Sequence, residues 1–169
     1  MGELRTVAEL MAISARTAPK SAGHDFIVTK IIEGEECVRL GDEMIAYGVR
    51  SGKGNFDRDG ENVKKSSAVL LVGLLDASAL GLNCGACGSS KCITVNTLEG
   101  EFRGPQCAFR LLDMGIALGS AVKTASMLNV DNRIMYRAGV VAREMGLIDA
   151  DFVMGIPLSA TGKNIFFDR

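Results

Sequence analysis

Four cysteines lie close together in the middle of the chain and are its most specific chemical feature. Their spacing is Cys-x2-Cys-x4-Cys, and fourteen more residues separate the third cysteine from the fourth. Thiolates at such density bind iron–sulfur clusters or zinc, or form a redox-active dithiol. We therefore expect metal or redox chemistry here rather than a disulfide scaffold. The four residues are Cys84, Cys87, Cys92 and Cys107.

The spacing favours one 4Fe–4S cluster, which four thiolates can bind completely. Gly85 and Gly88 fall between the ligands, where a chain that wraps a cluster needs positive φ and close backbone approach. Zinc is the alternative, but its usual four-cysteine pattern contains two Cys-x2-Cys pairs, and the second pair is missing here. A dithiol formed by the first two cysteines would leave the other two unexplained.

Cys107 is predicted to begin the longest helix of the chain, over residues 105–128, with Pro105 in its first turn. The positive end of the helix dipole would then favour a thiolate and an anionic cluster. The fifth cysteine, Cys37, falls in a different predicted helix. We interpret it as an ordinary small core or surface residue.

Hydrophobic periodicity predicts the elements that must hold this cysteine segment. Helices are expected over residues 3–16, 35–47, 105–128 and 133–145, with Asp131 as the N-cap and Gly146 as the C′ residue of the last. Strands are expected over residues 26–32, 68–75 and 151–156, a turn over 51–55 and a loop over 76–104. The middle strand is a continuous apolar run, which is typical of a buried central strand.

The helix over 105–128 is apolar on most sides, which predicts that it is buried. Gly115 and Gly119 lie four residues apart on one of its faces and would let another backbone come close. We interpret this face as a packing surface, either against the sheet or against a second copy in a dimer.

The composition of the chain limits the class of protein to which it can belong. The chain has 169 residues, 47% hydrophobic and 23% charged, with a formal net charge of −1, which is typical of one globular domain over residues 1–169. The cysteine segment, 83–107, is embedded in it. No basic patch indicates nucleic acid, and no apolar stretch is long enough for a membrane span, so we expect a cytoplasmic protein. The single histidine, His24, excludes zinc sites that need two histidines from one chain.

The cysteine loop resembles the small 4Fe–4S domain of corrinoid iron–sulfur proteins and of an Rnf-type electron-transport subunit. The resemblance implies that Cys84, Cys87, Cys92 and Cys107 are the cluster ligands. Nearly the whole chain resembles a family of uncharacterised prokaryotic proteins described as containing a ferredoxin domain. The segments that carry this resemblance are the cysteine loop and residues 15–20, 113–121, 131–133 and 155–159.

A further likeness is to nitroreductases, which are FMN-binding α+β homodimers. It is carried by residues 17–23, which resemble the turn after a nitroreductase helix, and by the Gly-x-Pro of a core strand at 155–157. The resemblance implies a nitroreductase-like single α+β domain, a central sheet flanked by helices, with the four-cysteine loop inserted. It also implies a homodimer.

Nitroreductases bind the FMN phosphate through an Arg-Arg-Ser sequence before the first helix. This chain has only Leu-Arg-Thr, residues 4–6, at the corresponding place. Arg16 and Lys20 are candidates to bind a flavin phosphate instead. Basic residues after a helix are also common as plain solvated charges at its C-terminal end.

Three hypotheses follow. The first is a 4Fe–4S protein that transfers electrons between an unknown donor and an unknown acceptor. The second is an FMN-dependent, nitroreductase-like oxidoreductase that receives its electrons from the cluster. The third is a non-enzymatic interaction protein stapled by zinc.

Overall fold

The computed structural model describes residues 4–94 and 97–167. The strands form one antiparallel sheet in the order β1-β2-β4-β3, so the fold is α+β as the sequence predicts. Five helices pack around the sheet. The strands are β1 (Ile27–Glu33), β2 (Ala68–Leu74), β3 (Asp131–Asn132) and β4 (Phe152–Ser159). The helices are α1 (Arg5–Thr17), α2 (Glu35–Ser51), α3 (Phe56–Lys64), α4 (Ala108–Met127) and α5 (Tyr136–Glu144).

The sheet is covered on both faces, which explains why β2 is apolar along its whole length. Side chains of a strand alternate between the two faces. Leu70 and Val72 accordingly pack into a core with α1 and α4, whereas Val69 and Leu71 pack into a second core with α2, α3 and α5. Every residue of β2 is buried, as expected for a central strand.

Two elements are absent from the sequence-based prediction. Helix α3 is polar and contains Gly60, a residue that usually weakens a helix. The structure shows why glycine is needed there: α2 crosses α3 so closely that a Cβ atom at Gly60 would lie 2.6 Å from the Gly41 carbonyl oxygen. Strand β3 has only two residues, which is too short for any periodicity to be visible.

Two predicted helix starts are wrong. Pro105 precedes α4, which begins at Ala108 with Cys107 as its N-cap residue. Asp131 is not the N-cap of α5 either. It lies in β3 opposite Ser159, and Met135 takes the N-cap position. Sheet pairing, a contact with a distant part of the chain, overrides the local capping preference of aspartate.

Helix α4 is buried on one face only, which corrects the prediction that it is buried all round. The side chains of Leu112 and Ile116 remain 61% and 47% exposed. Among the residues that the structure describes, nothing lies within 4 Å of a Cβ atom built at Gly115 or Gly119. In this chain α4 therefore presents an apolar, small-residue face outward. No helix within the described ranges is long and apolar enough to cross a bilayer.

Candidate metal centre at the four-cysteine loop

The cysteine loop leaves the sheet between β2 and α4, and one buried carboxylate holds both of its arms. Asp151, at the start of β4, accepts a hydrogen bond from the backbone N–H of Asp76 at 3.0 Å. Its other oxygen accepts from Arg103 Nη1, also at 3.0 Å. Asp76 begins the loop and Arg103 lies near its end, so both ends of the loop are held where β2 ends and β4 begins.

All four cysteines line one small pocket in this loop. Short loop residues and the first turn of α4 complete its wall, including Ala79, Gly85 and Ala108. In the described ranges, no three Cys, His, Asp or Glu side chains are placed to hold a single metal ion together. Four sulfur donors around one pocket are the donor set of a 4Fe–4S cluster, so these residues fit that group. The metal ligands of the sequence prediction are thus brought to one place.

The backbone around the first three cysteines has the predicted conformation. Gly85 and Gly88 have φ values of 72° and 85°, and the Gly88 N–H donates to the Gly85 carbonyl at 2.9 Å. Sequence reasoning missed Asn83. Its backbone N–H lies 3.2 Å from Cys92 Sγ, and its Oδ1 accepts the Cys92 N–H at 2.9 Å. Asn83 therefore both orients Cys92 and donates a hydrogen bond to its sulfur.

Cys107 differs from the other three because it is buried at the N-terminus of α4. Burial raises the pKa of its thiol, but backbone N–H groups of Leu80, Arg110 and Phe109 and the Arg110 charge more than offset this, so that the pKa is lowered overall. The geometry favours the thiolate, which is the form that binds metal. Cys37 is the reverse case, since burial in the second core and nearby glutamates raise its pKa to about 12.

A buried arginine one turn after Cys107 connects the loop to the rest of the fold. Arg110 is only 1% exposed. Its Nε donates to the Ser78 carbonyl at 2.9 Å, and its Nη1 donates to the Ser21 carbonyl at 2.9 Å and to Asp113 Oδ2 at 3.1 Å. The guanidinium carbon also lies 4.8 Å from the centre of the Phe26 ring. No local pattern signals this network, because three of its four partners are distant in sequence.

The second arm of the loop is fixed by Glu101. Its carboxylate accepts hydrogen bonds from the hydroxyls of Tyr47, at 2.7 Å, and Tyr136, and it pairs with Lys53 Nζ at 2.7 Å. Burial raises the pKa of Glu101, but these three partners outweigh it and the pKa is lowered overall. Burial and the Glu101 carboxylate raise the pKa of Tyr47 to about 12.

The two residues predicted as candidates for a flavin phosphate have other partners. Lys20 Nζ donates to the carbonyls of Ala15, Arg16 and Ala18, each at 2.8 Å, and caps the end of α1. An ammonium group has three N–H donors, so this arrangement leaves none for a phosphate. Arg16 Nε donates to Asp25 at 2.8 Å. The neighbouring His24 is exposed at the surface.

Comparison with known proteins gives a family match to the C-terminal part of the chain and a relative that matches nearly its full length. Residues 103–169 match the family described as "Uncharacterized protein containing a ferredoxin domain". This part contains Cys107 but not the other three cysteines of the pocket. An uncharacterized protein of Archaeoglobus fulgidus is 49% identical over 169 residues, which cover 98% of this chain and 91% of the relative.

Solved structures with a similar fold include several nitroreductases. A nitroreductase-like family protein from Bacillus cereus has a TM-score of 0.61 at 11% identity, covering 97% of this chain and 78% of its own. A nitroreductase with bound FMN from Desulfitobacterium hafniense has a TM-score of 0.60 at 13% identity, covering 94% and 79%. An FMN-dependent nitroreductase from Mycobacterium smegmatis, in complex with NADPH, has a TM-score of 0.60 at 12% identity. The match covers 93% of this chain and 78% of the nitroreductase. The fold is therefore nitroreductase-like, as the sequence resemblance implies.

Proposed function

The chain belongs to the family of uncharacterized proteins containing a ferredoxin domain, and from this premise we propose that it is a 4Fe–4S electron-transfer protein. Cys84, Cys87, Cys92 and Cys107 are the proposed ligands, in a segment spanning 83–107. The observation that carries the proposal is that these four side chains line one pocket. When bound, the cluster accepts and releases single electrons.

The chain's own residues support the cluster in three ways. Asn83 and the N-terminus of α4 direct backbone N–H groups toward Cys92 and Cys107 sulfurs. Such hydrogen bonds stabilise the negative charge of thiolate ligands. Gly85 and Gly88 supply the positive φ values that bend the chain around the pocket. The exposed Cys84 places one edge of the centre at the surface, where a redox partner can approach.

A second candidate function is FMN-dependent oxidoreductase activity in which the cluster supplies electrons to the flavin. The observation that favours it is the fold, because structures named as FMN-bound nitroreductases share it. Lys20 is fully engaged by the end of α1, so a flavin phosphate at Arg16 and Lys20 would require these contacts to break. The electron-transfer function is therefore our first proposal.

We test the cluster by anaerobic purification followed by iron, sulfide, zinc and flavin assays on one sample. We expect about four irons and four sulfides per chain and a broad absorbance near ~400 nm that dithionite bleaches. Cys92→Ala and Cys107→Ala should lose the iron, whereas Cys37→Ala, in the distant core, is the matched control and should keep it. One zinc per chain in a colourless sample would instead identify a zinc-stapled protein. Stoichiometric flavin would promote the second function.

The outward face of α4 supports a homodimer, which the nitroreductase resemblance also implies. Glycine in a helix costs about 0.5–1 kcal/mol relative to alanine, yet a Cβ atom at Gly115 or Gly119 would meet no described atom within 4 Å outside its own stretch of helix. They are flanked by the exposed Leu112 and Ile116. A second copy of α4 crossing at the two glycines would bury this apolar face.

The dimer is tested by sedimentation or light scattering. We expect the native chain to be a dimer and Gly119→Leu, which would fill the crossing point, to be a monomer of native helix content. Gly162→Leu adds the same side chain in open space near the C-terminal end and should remain a dimer. A native chain that is monomeric at high micromolar concentration would overturn the proposal.

A further inference from the structure

We propose that the buried Arg110–Asp113 pair sets the reduction potential of the metal centre, with Arg110 stabilising the reduced state and Asp113 opposing it. This inference rests on the proposed 4Fe–4S function. It assigns Arg110 and Asp113 as positioning residues, because neither is a proposed metal ligand. Reduction adds one electron to the cluster, and the guanidinium stays protonated throughout.

Burial is the first argument, because it makes the two charges effective at a distance. The side chains of Arg110 and Asp113 are only 1% and 5% exposed. Charges removed from solvent are weakly screened by water and salt, so they act on a neighbouring site more strongly than surface charges do. Reduction of the cluster adds a negative charge to such a neighbouring site, so the two buried side chains would change its energy.

Position is the second argument. Arg110 lies one turn after Cys107, and its backbone N–H donates to the Cys107 carbonyl at 3.0 Å. Its guanidinium holds the Ser78 carbonyl, which belongs to the arm of the loop that leads to Cys84. The positive charge is therefore fixed between the two chain segments that carry the ligands. The lowered pKa of Cys107, to which the Arg110 charge contributes, is consistent with this placement.

The surroundings of Asp113 are the third argument, because they fix its carboxylate beside the Arg110 guanidinium. Its Oδ1 accepts hydrogen bonds from the backbone N–H and the hydroxyl of Ser21, each at 2.8 Å, and its Oδ2 accepts from Arg110 at 3.1 Å. These three hydrogen bonds hold the carboxylate of the ion pair in a single position next to the guanidinium. The pair thus places opposite charges near the centre, and removing either one should move the potential in a predictable direction.

The test is a spectroelectrochemical titration of the native protein and three variants. Asp113→Asn leaves the positive charge unopposed and should shift the midpoint potential upward. Arg110→Met removes the positive charge and should shift it downward. Arg110→Lys keeps the charge and should stay closest to the native value. All shifts should persist at high salt, because the pair is buried.

Asp59→Asn is the matched control. Asp59 is an equally buried aspartate that pairs with Arg58 and Arg137, and it lies on α3 against the other face of the sheet. Its substitution should leave the potential unchanged. If Arg110→Met does not fold, Asp113→Asn still tests the inference, because this variant retains Arg110 and most of the hydrogen bonds of the pair.

The outcomes separate this inference from the function on which it rests. A native protein without iron and sulfide contradicts the proposed function itself. If the cluster is present at native stoichiometry but Asp113→Asn leaves the potential unchanged or lowers it, only the inference is overturned. If Asp113→Asn and Arg110→Met shift the potential in the same direction, the pair has only a structural role, and this result also overturns the inference.

Discussion

Cys37 and Cys107 carry the same side chain in opposite environments. The pKa of Cys37 is raised by burial and by the carboxylates of Glu33 and Glu36. Cys107 meets backbone N–H groups and the Arg110 charge, which lower its pKa despite burial. Residue type alone therefore does not decide which of the five cysteines are candidate metal ligands. Spacing separated Cys37 from the other four in the sequence, and the structure supplies the physical reason.

Glu101 should make stability depend on pH in a defined direction. Its pKa is lowered in the folded state from 4.5, so its contribution is complete above that value and is lost as the pH falls through the folded-state pKa. Glu101→Gln should cost about 1–3 kcal/mol at neutral pH, because hydrogen bonds to a charged acceptor are weakened. It should also flatten the decline of stability in acid.

Urea unfolding between pH 3 and pH 7 measures this effect. Asp149→Asn, an exposed carboxylate before β4, serves as the control and should retain the native decline in acid. If the Glu101→Gln profile is as steep as the native one, the carboxylate does not hold the loop in the way we describe.

Two of the residues that sequence analysis missed have partners that are far away in the chain. Arg110 contacts Ser21 and Ser78, and Glu101 contacts Tyr47 and Tyr136. A cysteine motif is visible because its spacing is local. A buried arginine in a helical pattern gives no such signal, since the same residue type is ordinarily found at the surface.

At the scale of elements, the long periodic segments were predicted and the short or polar ones were not. β2 and α4 carry enough apolar residues for a period to be visible. α3 does not, because its contacts with α2 depend on two glycines that approach closely rather than on an apolar stripe. The exposure of Leu112 and Ile116 on α4 was not predicted, although packing of the face with Gly115 and Gly119 against a second copy was one of the two alternatives left open.

Gly139 provides a test of how closely the elements pack. A Cβ atom at this position in α5 would lie 1.9 Å from the Val153 carbonyl oxygen in β4. Because the backbone cannot easily move aside, Gly139→Ala should destabilise the fold by about 1–3 kcal/mol, the usual range for overpacking. Chemical denaturation measures the change.

Gly162→Ala is the comparison for that experiment, because its new methyl group would meet no described atom within 4 Å. We expect a stability close to native for this variant. Equal stability of Gly139→Ala and the native chain would contradict the close approach of α5 to β4.

For the whole molecule, the two hydrophobic cores are built without the tip of the cysteine loop. Of the residues that the structure describes in 78–94 and 97–101, neither core contains any. The proposed cluster therefore lies outside the parts that stabilise the fold, unlike a structural zinc site whose domain unfolds when the metal is removed.

A variant with Cys84, Cys87 and Cys92 all changed to serine should lose the iron yet keep its native far-ultraviolet circular dichroism and a cooperative thermal transition. Leu70→Ala, by contrast, opens a cavity in the first core and should cost about 2–5 kcal/mol. An unfolded triple-serine variant would show that the metal centre is needed for folding.

The pairing of β2 with β4 has a consequence for synthesis on the ribosome. Leu74 pairs with Phe152, so the central strand acquires its second neighbour only after most of the chain has emerged. Until then β2, apolar on both faces, has only β1 beside it, and such exposed strands are prone to aggregate. All four cysteines of the pocket also emerge before β4 does. Nascent chains of this protein should thus depend on chaperones until β4 has paired with β2.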